Sequence, residues 1–180
     1  MKKIFKIIIA MLVLIVVVFS IFRIMCFLYP NRYKVSVEKY SKEYDLSKDL
    51  VYAVIKAESN FESDAVSIKG AKGLMQIMDK TATWSAEKIG IEDFCEEELF
   101  SPDTNIRIGC FYLSYLLDMY DGNEKNALSA YNAGQAKVDS WLKDTRYSKD
   151  GKTLDKIPYR ETQKYVKNVE KNIKIYDFLY

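Results

Sequence analysis

A single glutamate at the end of an apolar segment is the residue of this chain best placed for acid–base chemistry. Apolar positions recur at spacings of three and four residues, which puts the following residues on one face of a predicted helix: Leu50, Val51, Val54, Ile55 and Glu58. A carboxyl on a buried stripe is rare unless it is paired or functional. Burial there would raise its pKa towards the value that a general acid needs near neutral pH. The same spacing also allows a structural role, in which Glu58 caps a neighbouring backbone group.

The composition narrows the chemistry further. The 180 residues include no His, which removes Ser–His and Cys–His catalysis and the commonest metal ligand. The three cysteines form no Cys-x-x-Cys pair, so we expect neither a metal nor a cofactor. Cys95 and Cys110 either form a disulfide in an oxidising exterior or remain separate thiols. The formal net charge of +2, without a basic block beyond the N-terminus, argues against nucleic acid as a partner.

Three short blocks follow one another at fixed spacing. The first comprises Glu58-Ser59, Ala65-Val66-Ser67, Gly70-Ala71, Gly73 to Met78 and Thr81-Ala82. The second is Ala130-Tyr131-Asn132-Ala133-Gly134, and the third is Glu161-Thr162 with Tyr165-Val166. In order and spacing these blocks resemble the motifs of the soluble lytic transglycosylase family, lysozyme-like enzymes that cut the glycan strands of peptidoglycan. The resemblance covers about residues 35 to 176.

The resemblance implies a mainly α, lysozyme-like domain of the goose-type or transglycosylase kind, with one catalytic carboxyl. Glycosidases usually use two carboxyls. In this family Glu58 would instead protonate the oxygen between N-acetylmuramic acid and N-acetylglucosamine. It would then take the proton of the muramic acid C6 hydroxyl, which closes a 1,6-anhydro ring without water. Tyr165 matches a family tyrosine that reaches towards the acid. The residues that match substrate-binding positions are Ser67, Gln76, Met78, Tyr131, Asn132 and Tyr165.

Several of these residues also have ordinary structural interpretations. Ser67 could stabilise a turn, Met78 could pack in the core, and Tyr131 could be a core aromatic residue. Gln76 lies among apolar neighbours and should therefore meet a specific hydrogen-bond partner. Two further carboxyls lie in the loop that follows the catalytic candidate and are expected to be solvated, Glu62 and Asp64.

The remaining pattern predicts helices and no β-sheet. In the first half of the chain, helices are predicted for residues 33–44, from a Ser47 cap to Glu58, for residues 74–78 and from an Asp79 cap to Gly90. In the second half, Ser101-Pro102-Asp103 opens a long helix. Shorter helices follow at residues 126–133 and 138–142, and a last helix begins after Pro158. The buried stripe of the long helix is Ile106, Cys110, Leu113 and Leu117. That of the last helix is Val166, Val169, Ile173 and Tyr176.

The N-terminus differs from the rest of the chain. Three lysines, Lys2, Lys3 and Lys6, precede an uncharged run from Ile7 to Phe22, which is either the centre of a signal peptide or a membrane-spanning helix. No small-x-small cleavage site follows, which favours an uncleaved anchor over a removed signal peptide. The lysines put the N-terminus in the cytoplasm. We therefore predict a single-pass cell-membrane protein with an anchor at residues 1–32 and an extracytoplasmic catalytic domain at residues 33–180.

Together these features predict a membrane-anchored lytic transglycosylase that acts on peptidoglycan glycan strands. A second enzyme interpretation is a hydrolytic muramidase in which water attacks the same bond; reducing ends would then replace anhydro ends. An interpretation from another class is a non-catalytic glycan-binding module of a cell-envelope machine. Full cellular function of a Glu58→Gln variant would support that third interpretation.

Overall fold

Helices make up the regular structure of the chain. In a computed structural model that describes residues 2–180, eight α-helices follow one another: α1 Lys2–Leu28, α2 Lys34–Glu43, α3 Lys48–Glu58, α4 Asp79–Lys88, α5 Pro102–Met119, α6 Glu124–Ala133, α7 Gln135–Leu142 and α8 Arg160–Leu179. A 3₁₀ helix, Glu96–Phe100, precedes α5. Within residues 2–180 the β-type pairing is limited to two isolated bridges, Val66 with Lys72 and Lys72 with Ile77. The prediction of a mainly α domain is confirmed.

α3 is the buried helix that carries Glu58 to its end. It begins after Ser47, whose side chain accepts a hydrogen bond from the Leu50 backbone N–H at 3.1 Å, as predicted. Six consecutive residues, Leu50 to Ile55, are buried. A helix that is apolar on all sides belongs in a core, and the most extensive helix pair of the fold is formed by α3 and α8.

α8 covers α3 with the stripe that its spacing predicts. Val166, Val169 and Tyr176 are buried, and Ile173 is half-buried at the edge of the stripe. Tyr176 stacks on Tyr52 of α3 with 5.2 Å between the ring centroids. The two helices therefore form one rigid unit behind the C-terminal end of α3.

α5 has the predicted start and most of the predicted buried face, in which Leu117 is only half-buried. Pro102 is its first residue, and Ile106, Cys110 and Leu113 are fully buried. Cys110 lies inside this stripe whereas Cys95 is exposed, and both thiols are free. The disulfide alternative is therefore wrong, and the two cysteines are separate thiols.

The segment before α4 differs from its prediction. Residues 74–78 do not form a helix but belong to a tight turn, which is closed by backbone hydrogen bonds between Lys72 and Ile77 at 3.0 and 3.1 Å. Asp79 is the first residue of α4 rather than its cap. Its carboxylate pairs with the Lys72 ammonium at 2.8 Å. Five residues are too few for a stable helix when the bridge between Lys72 and Ile77 competes for its backbone groups.

Two boundaries also lie earlier than predicted. α6 begins at Glu124 because the Asn123 side chain accepts a hydrogen bond from the Asn126 backbone N–H at 3.1 Å. α7 begins at Gln135, directly after Gly134. Both shifts are of a few residues and leave the order of elements unchanged.

α1 extends away from this core. Its apolar side chains are exposed from Ile4 to Ile24. Among the helices of residues 2–180, α1 is long and apolar enough to cross a membrane. The predicted N-terminal apolar helix is thus present and longer than the uncharged run alone.

Candidate active site

Glu58 lies where α3 ends in a fixed turn. Ser59 follows it and donates its hydroxyl hydrogen bond to the Leu74 carbonyl oxygen at 2.8 Å. Asn60 and Phe61 both have left-handed backbone angles, with φ of 52° and 69°, which turn the chain sharply away from the helix axis. Phe61 is buried against Tyr52. The position of the carboxyl is therefore set by buried neighbours on both sides.

The surroundings of Glu58 favour its protonated form. Burial raises the pKa of the Glu58 carboxyl from 4.5 to about 7, and the nearby Tyr165 hydroxyl opposes this rise. Tyr165 is itself buried, and among residues 2–180 no group meets its hydroxyl in hydrogen-bonding geometry. Tyr165 therefore approaches the carboxyl from behind without a fully formed hydrogen bond. A carboxyl with a pKa near 7 can donate a proton at neutral pH.

Two side chains of the predicted site, Ser67 and Gln76, form hydrogen bonds with the backbone of the loop that follows α3. The Ser67 hydroxyl oxygen accepts a hydrogen bond from the Ala71 backbone N–H at 2.9 Å. The Gln76 amide donates to the carbonyl oxygens of Ala65 and Gly73, both at 3.0 Å. Gln76 also has a left-handed backbone, with φ of 49°. The turn interpretation of Ser67 is thus present, and the partner expected for Gln76 is the loop backbone.

A cleft of about 720 Å³ opens in front of Glu58. The loop forms one wall through Ser67, Gln76 and Met78, and the C-terminal end of α6 forms the other. There the Tyr131 hydroxyl donates to the Met75 carbonyl oxygen at 2.9 Å, which ties the two walls together. The cleft therefore combines one proton donor with polar and apolar groups on opposite sides.

Comparison with known proteins identifies the family. A family profile described as a transglycosylase SLT domain matches residues 36–154. This chain belongs to the SLT transglycosylase family. It is 36% identical over 143 residues to the soluble lytic murein transglycosylase of Salmonella typhimurium, and the match covers 78% of this chain and 22% of that protein. It is 33% identical over 117 residues to the membrane-bound lytic murein transglycosylase C of Yersinia pestis, covering 60% of this chain and 33% of that protein.

The fold of the SLT domain also matches solved structures. The lytic transglycosylase Slt of Pseudomonas aeruginosa, solved as an inactive glutamate-to-glutamine mutant, superposes with a TM-score of 0.73 at 37% identity. The match covers 82% of this chain and 24% of that enzyme. The predicted lysozyme-like transglycosylase fold is confirmed. The chain spans about a quarter or less of the length of the soluble relatives that it matches.

Six of the seven predicted site residues of the SLT domain meet in the cleft: Glu58, Ser67, Gln76, Met78, Tyr131 and Asn132. Tyr165 does not line it, because α8 buries this side chain behind Glu58. The core alternative for Met78 is wrong, since 45% of this residue is exposed. The charges expected to be solvated, Glu62 and Asp64, are exposed.

Sequence reasoning did not single out several residues of the site. Thr81, Tyr112 and Glu161 also line the cleft, and Glu161 adds a second carboxyl to it. The matching blocks contain Thr81 and Glu161, so their presence in the motif was the available signal. Tyr112 lies on α5 outside every matching block, so the sequence carried no signal that it lines the cleft. Among residues 2–180 no three His, Cys, Asp or Glu side chains converge on a metal site.

Asn105 is the missed residue that holds the loop. It is fully buried and accepts a hydrogen bond from the Met75 backbone N–H at 2.8 Å. Its amide donates to the carbonyl oxygens of Lys72 at 3.0 Å and Leu99 at 2.8 Å. One side chain from α5 thus satisfies two backbone groups of the segment that forms the cleft wall and one backbone group of the 3₁₀ helix that precedes α5. An Asn next to buried Ile106 was the sequence signal for such a role.

The cleft continues into a second depression of about 310 Å³. Thr81 and Tyr112 border both spaces, and Trp84 and Tyr115 lie beyond them. Trp84 packs edge-on against Tyr115 with 4.8 Å between the ring centroids. Aromatic faces of this kind suit the apolar faces of sugar rings.

Proposed function

We propose that this protein is a membrane-anchored peptidoglycan lytic transglycosylase. It cleaves the β-1,4 bond between N-acetylmuramic acid and N-acetylglucosamine and leaves a 1,6-anhydro ring on the muramic acid. The observation that carries the proposal is the Glu58 carboxyl, whose pKa of about 7 makes it a proton donor at the edge of a glycan-sized cleft. Support comes from the relatives, which are named lytic murein transglycosylases.

The reaction needs one carboxyl in two successive roles. Glu58 first donates its proton to the bridging oxygen, and the bond from that oxygen to C1 of the muramic acid breaks. The resulting carboxylate then takes the proton of the C6 hydroxyl while O6 forms the new bond to C1. Glu58 is protonated again at the end, and no water is consumed. A pKa near neutrality serves both steps, because donor and acceptor forms are then close in free energy.

The other groups of the cleft bind and orient the glycan in this proposal. The Ser67 hydroxyl already accepts a hydrogen bond from the loop, so it offers its own proton to the sugar. The amide donors of Gln76 are occupied by the loop, which leaves its carbonyl oxygen as an acceptor for sugar hydroxyl or amide groups. Asn132 supplies a second amide from the opposite wall, and Met78 with Tyr131 supplies apolar contact.

Glu161 favours a second candidate, the hydrolytic muramidase. Its carboxyl lines the same cleft as Glu58, and glycosidases that use water need such a second carboxyl as a base or nucleophile. Under this alternative, Glu161→Gln would abolish turnover. Under the transglycosylase proposal, Glu161→Gln changes substrate binding but leaves the anhydro product.

Mass analysis of the products separates these functions. We expect the purified full-length protein to release muropeptides that carry 1,6-anhydro-muramic acid from isolated peptidoglycan. Reducing muramic acid ends would establish the hydrolytic alternative. Binding to glycan strands without release of either product would establish the non-catalytic alternative.

The membrane part of the proposal concerns α1. We infer that residues 1–32 form a single-pass anchor with the N-terminus in the cytoplasm and that residues 33–180 act outside the membrane. The length and apolar composition of α1 support the anchor, and the exposed side chains of Lys3 and Lys6 at its start support the orientation. The Yersinia pestis relative that is named membrane-bound adds support from a protein of the same family.

A further inference from the structure

The C-terminal helix binds the end of α1 directly. The Tyr176 hydroxyl donates a hydrogen bond to the Pro30 carbonyl oxygen at 3.1 Å, and the Tyr180 hydroxyl donates to that of Tyr29 at 2.9 Å. The Tyr29 ring packs edge-on against Tyr176 with 5.8 Å between centroids. The segment that joins α1 to the catalytic domain is therefore pinned at two consecutive residues rather than left as a flexible linker.

A second contact joins α1 to the helix of the catalytic carboxyl. The Lys56 ammonium donates to the Leu28 carbonyl oxygen at 2.6 Å and lies 5.2 Å from the centre of the Tyr29 ring. Leu28 is the last residue of α1, whose final carbonyl groups have no partner within the helix and attract a cation. Glu58 follows Lys56 by two residues, about 3 Å along the axis of α3. The catalytic candidate is thus on the same last turn of α3 as the residue that contacts the end of the membrane helix.

The length of α1 sets where this contact lies in a bilayer. Its 27 residues extend about 40 Å, which matches a bilayer that includes both headgroup layers. The contact with α8 then falls at the outer headgroup layer. The two segments that meet at this contact each carry exposed aromatic side chains: Phe27 near the end of α1 is 83% exposed, and Phe178 and Tyr180 at the end of the chain are 78% and 40% exposed. Aromatic residues are enriched at this depth of membranes, where one part of the ring meets lipid and another meets water.

We propose that the catalytic domain is docked rigidly on the external face of the membrane that α1 crosses, with the end of α8 in the headgroup layer. From this position the domain cuts glycan strands at a fixed short distance from the bilayer. The occupant of these exposed aromatic side chains is lipid, because Phe27 belongs to the membrane helix itself and Tyr180 is hydrogen-bonded to Tyr29, the residue that directly follows that helix. The glycan part of this inference rests on the proposed function. A strand that is still attached to a membrane lipid would be trimmed to a short remnant of nearly constant length.

The test compares the native chain with an uncoupled variant in lipid vesicles. The uncoupled variant carries a twelve-residue Gly-Ser linker after Asn31, which adds a mean span of roughly 20 Å, together with Tyr176→Phe and Tyr180→Phe. The control carries the same linker in the exposed turn between Asp121 and Gly122, with Tyr159→Phe in place of the two tyrosine changes. All three proteins carry Cys26→Ser and a fluorescent donor on the exposed Cys95.

Two readouts decide the proposal. Energy transfer from Cys95 to acceptor-labelled lipid headgroups measures the distance of the domain from the bilayer. Vesicles with glycan strands polymerised on a lipid carrier report the length of the lipid-attached remnant. We expect strong transfer and a short, narrow remnant distribution for the native chain and the control. The uncoupled variant should show weaker transfer and a longer, broader distribution.

Equal energy transfer in all three proteins would overturn the rigid docking. Weaker transfer in the uncoupled variant with an unchanged remnant would overturn the fixed cutting distance while leaving the docking in place. If none of the three proteins cleaves either these strands or free soluble strands, the proposed function fails. The energy-transfer measurement still decides the docking in that case, because it needs no turnover.

Discussion

Glu58 obtains its proton affinity from burial and not from a charged neighbour. The carboxyl stands at the end of a helix whose preceding turns are buried, and burial is the dominant cause of the rise of its pKa to about 7. Desolvation alone is thus enough to raise the pKa of this carboxyl towards neutrality.

Replacement of the carboxyl by an amide tests its role in turnover. Glu58→Gln is nearly isosteric and removes the transferable proton, so we expect the rate of release of anhydro-muropeptides to fall more than a hundredfold. Glycan binding in a pull-down assay should remain. Glu62→Gln is the matched control, because Glu62 is an exposed carboxylate of the following loop. A Glu58→Gln variant with a tenth of the native rate would contradict the assignment.

The same substitution has an effect on stability with a definite sign. Because the pKa of Glu58 is about 7 in the folded chain and about 4.5 when unfolded, the free energy of unfolding of the native protein decreases as pH rises from 4.5 to 7. Glu58→Gln removes that decrease. We expect the variant to match the native protein at pH 4 and to be more stable at pH 8, by roughly 3 kcal/mol at most. Denaturant unfolding at both pH values measures the difference, and equal stability at pH 8 would show that the carboxyl titrates normally.

In the proposed mechanism, Tyr165 influences where the activity declines at alkaline pH. The protonated form of Glu58 starts that reaction, so we expect the rate to fall as pH rises past its pKa. The Tyr165 hydroxyl lowers this pKa, and Tyr165→Phe should therefore move the alkaline limb of kcat/KM to higher pH by a fraction of a unit or more. Tyr159→Phe, at an exposed tyrosine, should leave the limb in place. A shift of the limb to lower pH in Tyr165→Phe would contradict this role.

At the scale of elements, the cleft depends on a loop that has little regular structure of its own. Its segment around Gly73 is held by Asn105 from α5 and by the Tyr131 hydroxyl from α6. Gly73 has a φ of +74°, and a Cβ there would overlap the Leu99 carbonyl oxygen and the Asn105 amide. The shape of the loop thus depends on the very close approach of the Gly73 backbone to Leu99 and Asn105.

Two glycines of this loop form a matched pair for a test. Gly70 has a φ of +86° but open space around its Cβ position. Gly70→Ala should cost roughly 1–2 kcal/mol of unfolding free energy from backbone strain alone. Gly73→Ala carries the same strain and also displaces Asn105, so we expect a loss larger by at least about 2 kcal/mol. Chemical denaturation compares the two, and losses of equal size would show that the approach to Asn105 adds nothing.

How much of the site can be predicted from the sequence depends on how far apart its interacting residues lie along the chain. The acid, the loop and the first turn of α4 lie within one continuous stretch, so residue spacing and motif were enough to select Glu58, Ser67 and Gln76. The support of the loop comes from Asn105, 30 residues beyond Met75, and the position of Tyr165 depends on how α8 packs on α3. Such long-range contacts have no local pattern. The predicted helix at residues 74–78 was wrong for the same reason, since the backbone N–H and carbonyl groups of Met75 bond to the distant side chains of Asn105 and Tyr131.

At the scale of the whole molecule, the proposed membrane anchoring depends on α1. We expect the full-length protein to stay with membranes after washing with high salt and with carbonate, because about 16 uncharged residues of α1 have no other apolar environment. External protease should remove the catalytic domain. Leu14→Asp combined with Val17→Asp provides the control, since two charges at the centre of the helix should release the protein. A soluble form that begins near residue 27 would mean that the segment is a cleaved signal peptide.

The order of the elements along the chain has a consequence for biogenesis. α8 follows every other helix, yet it supplies the surface that encloses α3 and the side chain behind Glu58. In the proposed topology, α3 is therefore synthesised and exported well before the segment that completes its surroundings. Until residues 160–180 have also been exported, the carboxyl lacks the enclosure that raises its pKa. Under the proposed function, we therefore expect a partly exported chain to be inert towards peptidoglycan until α8 has packed on α3.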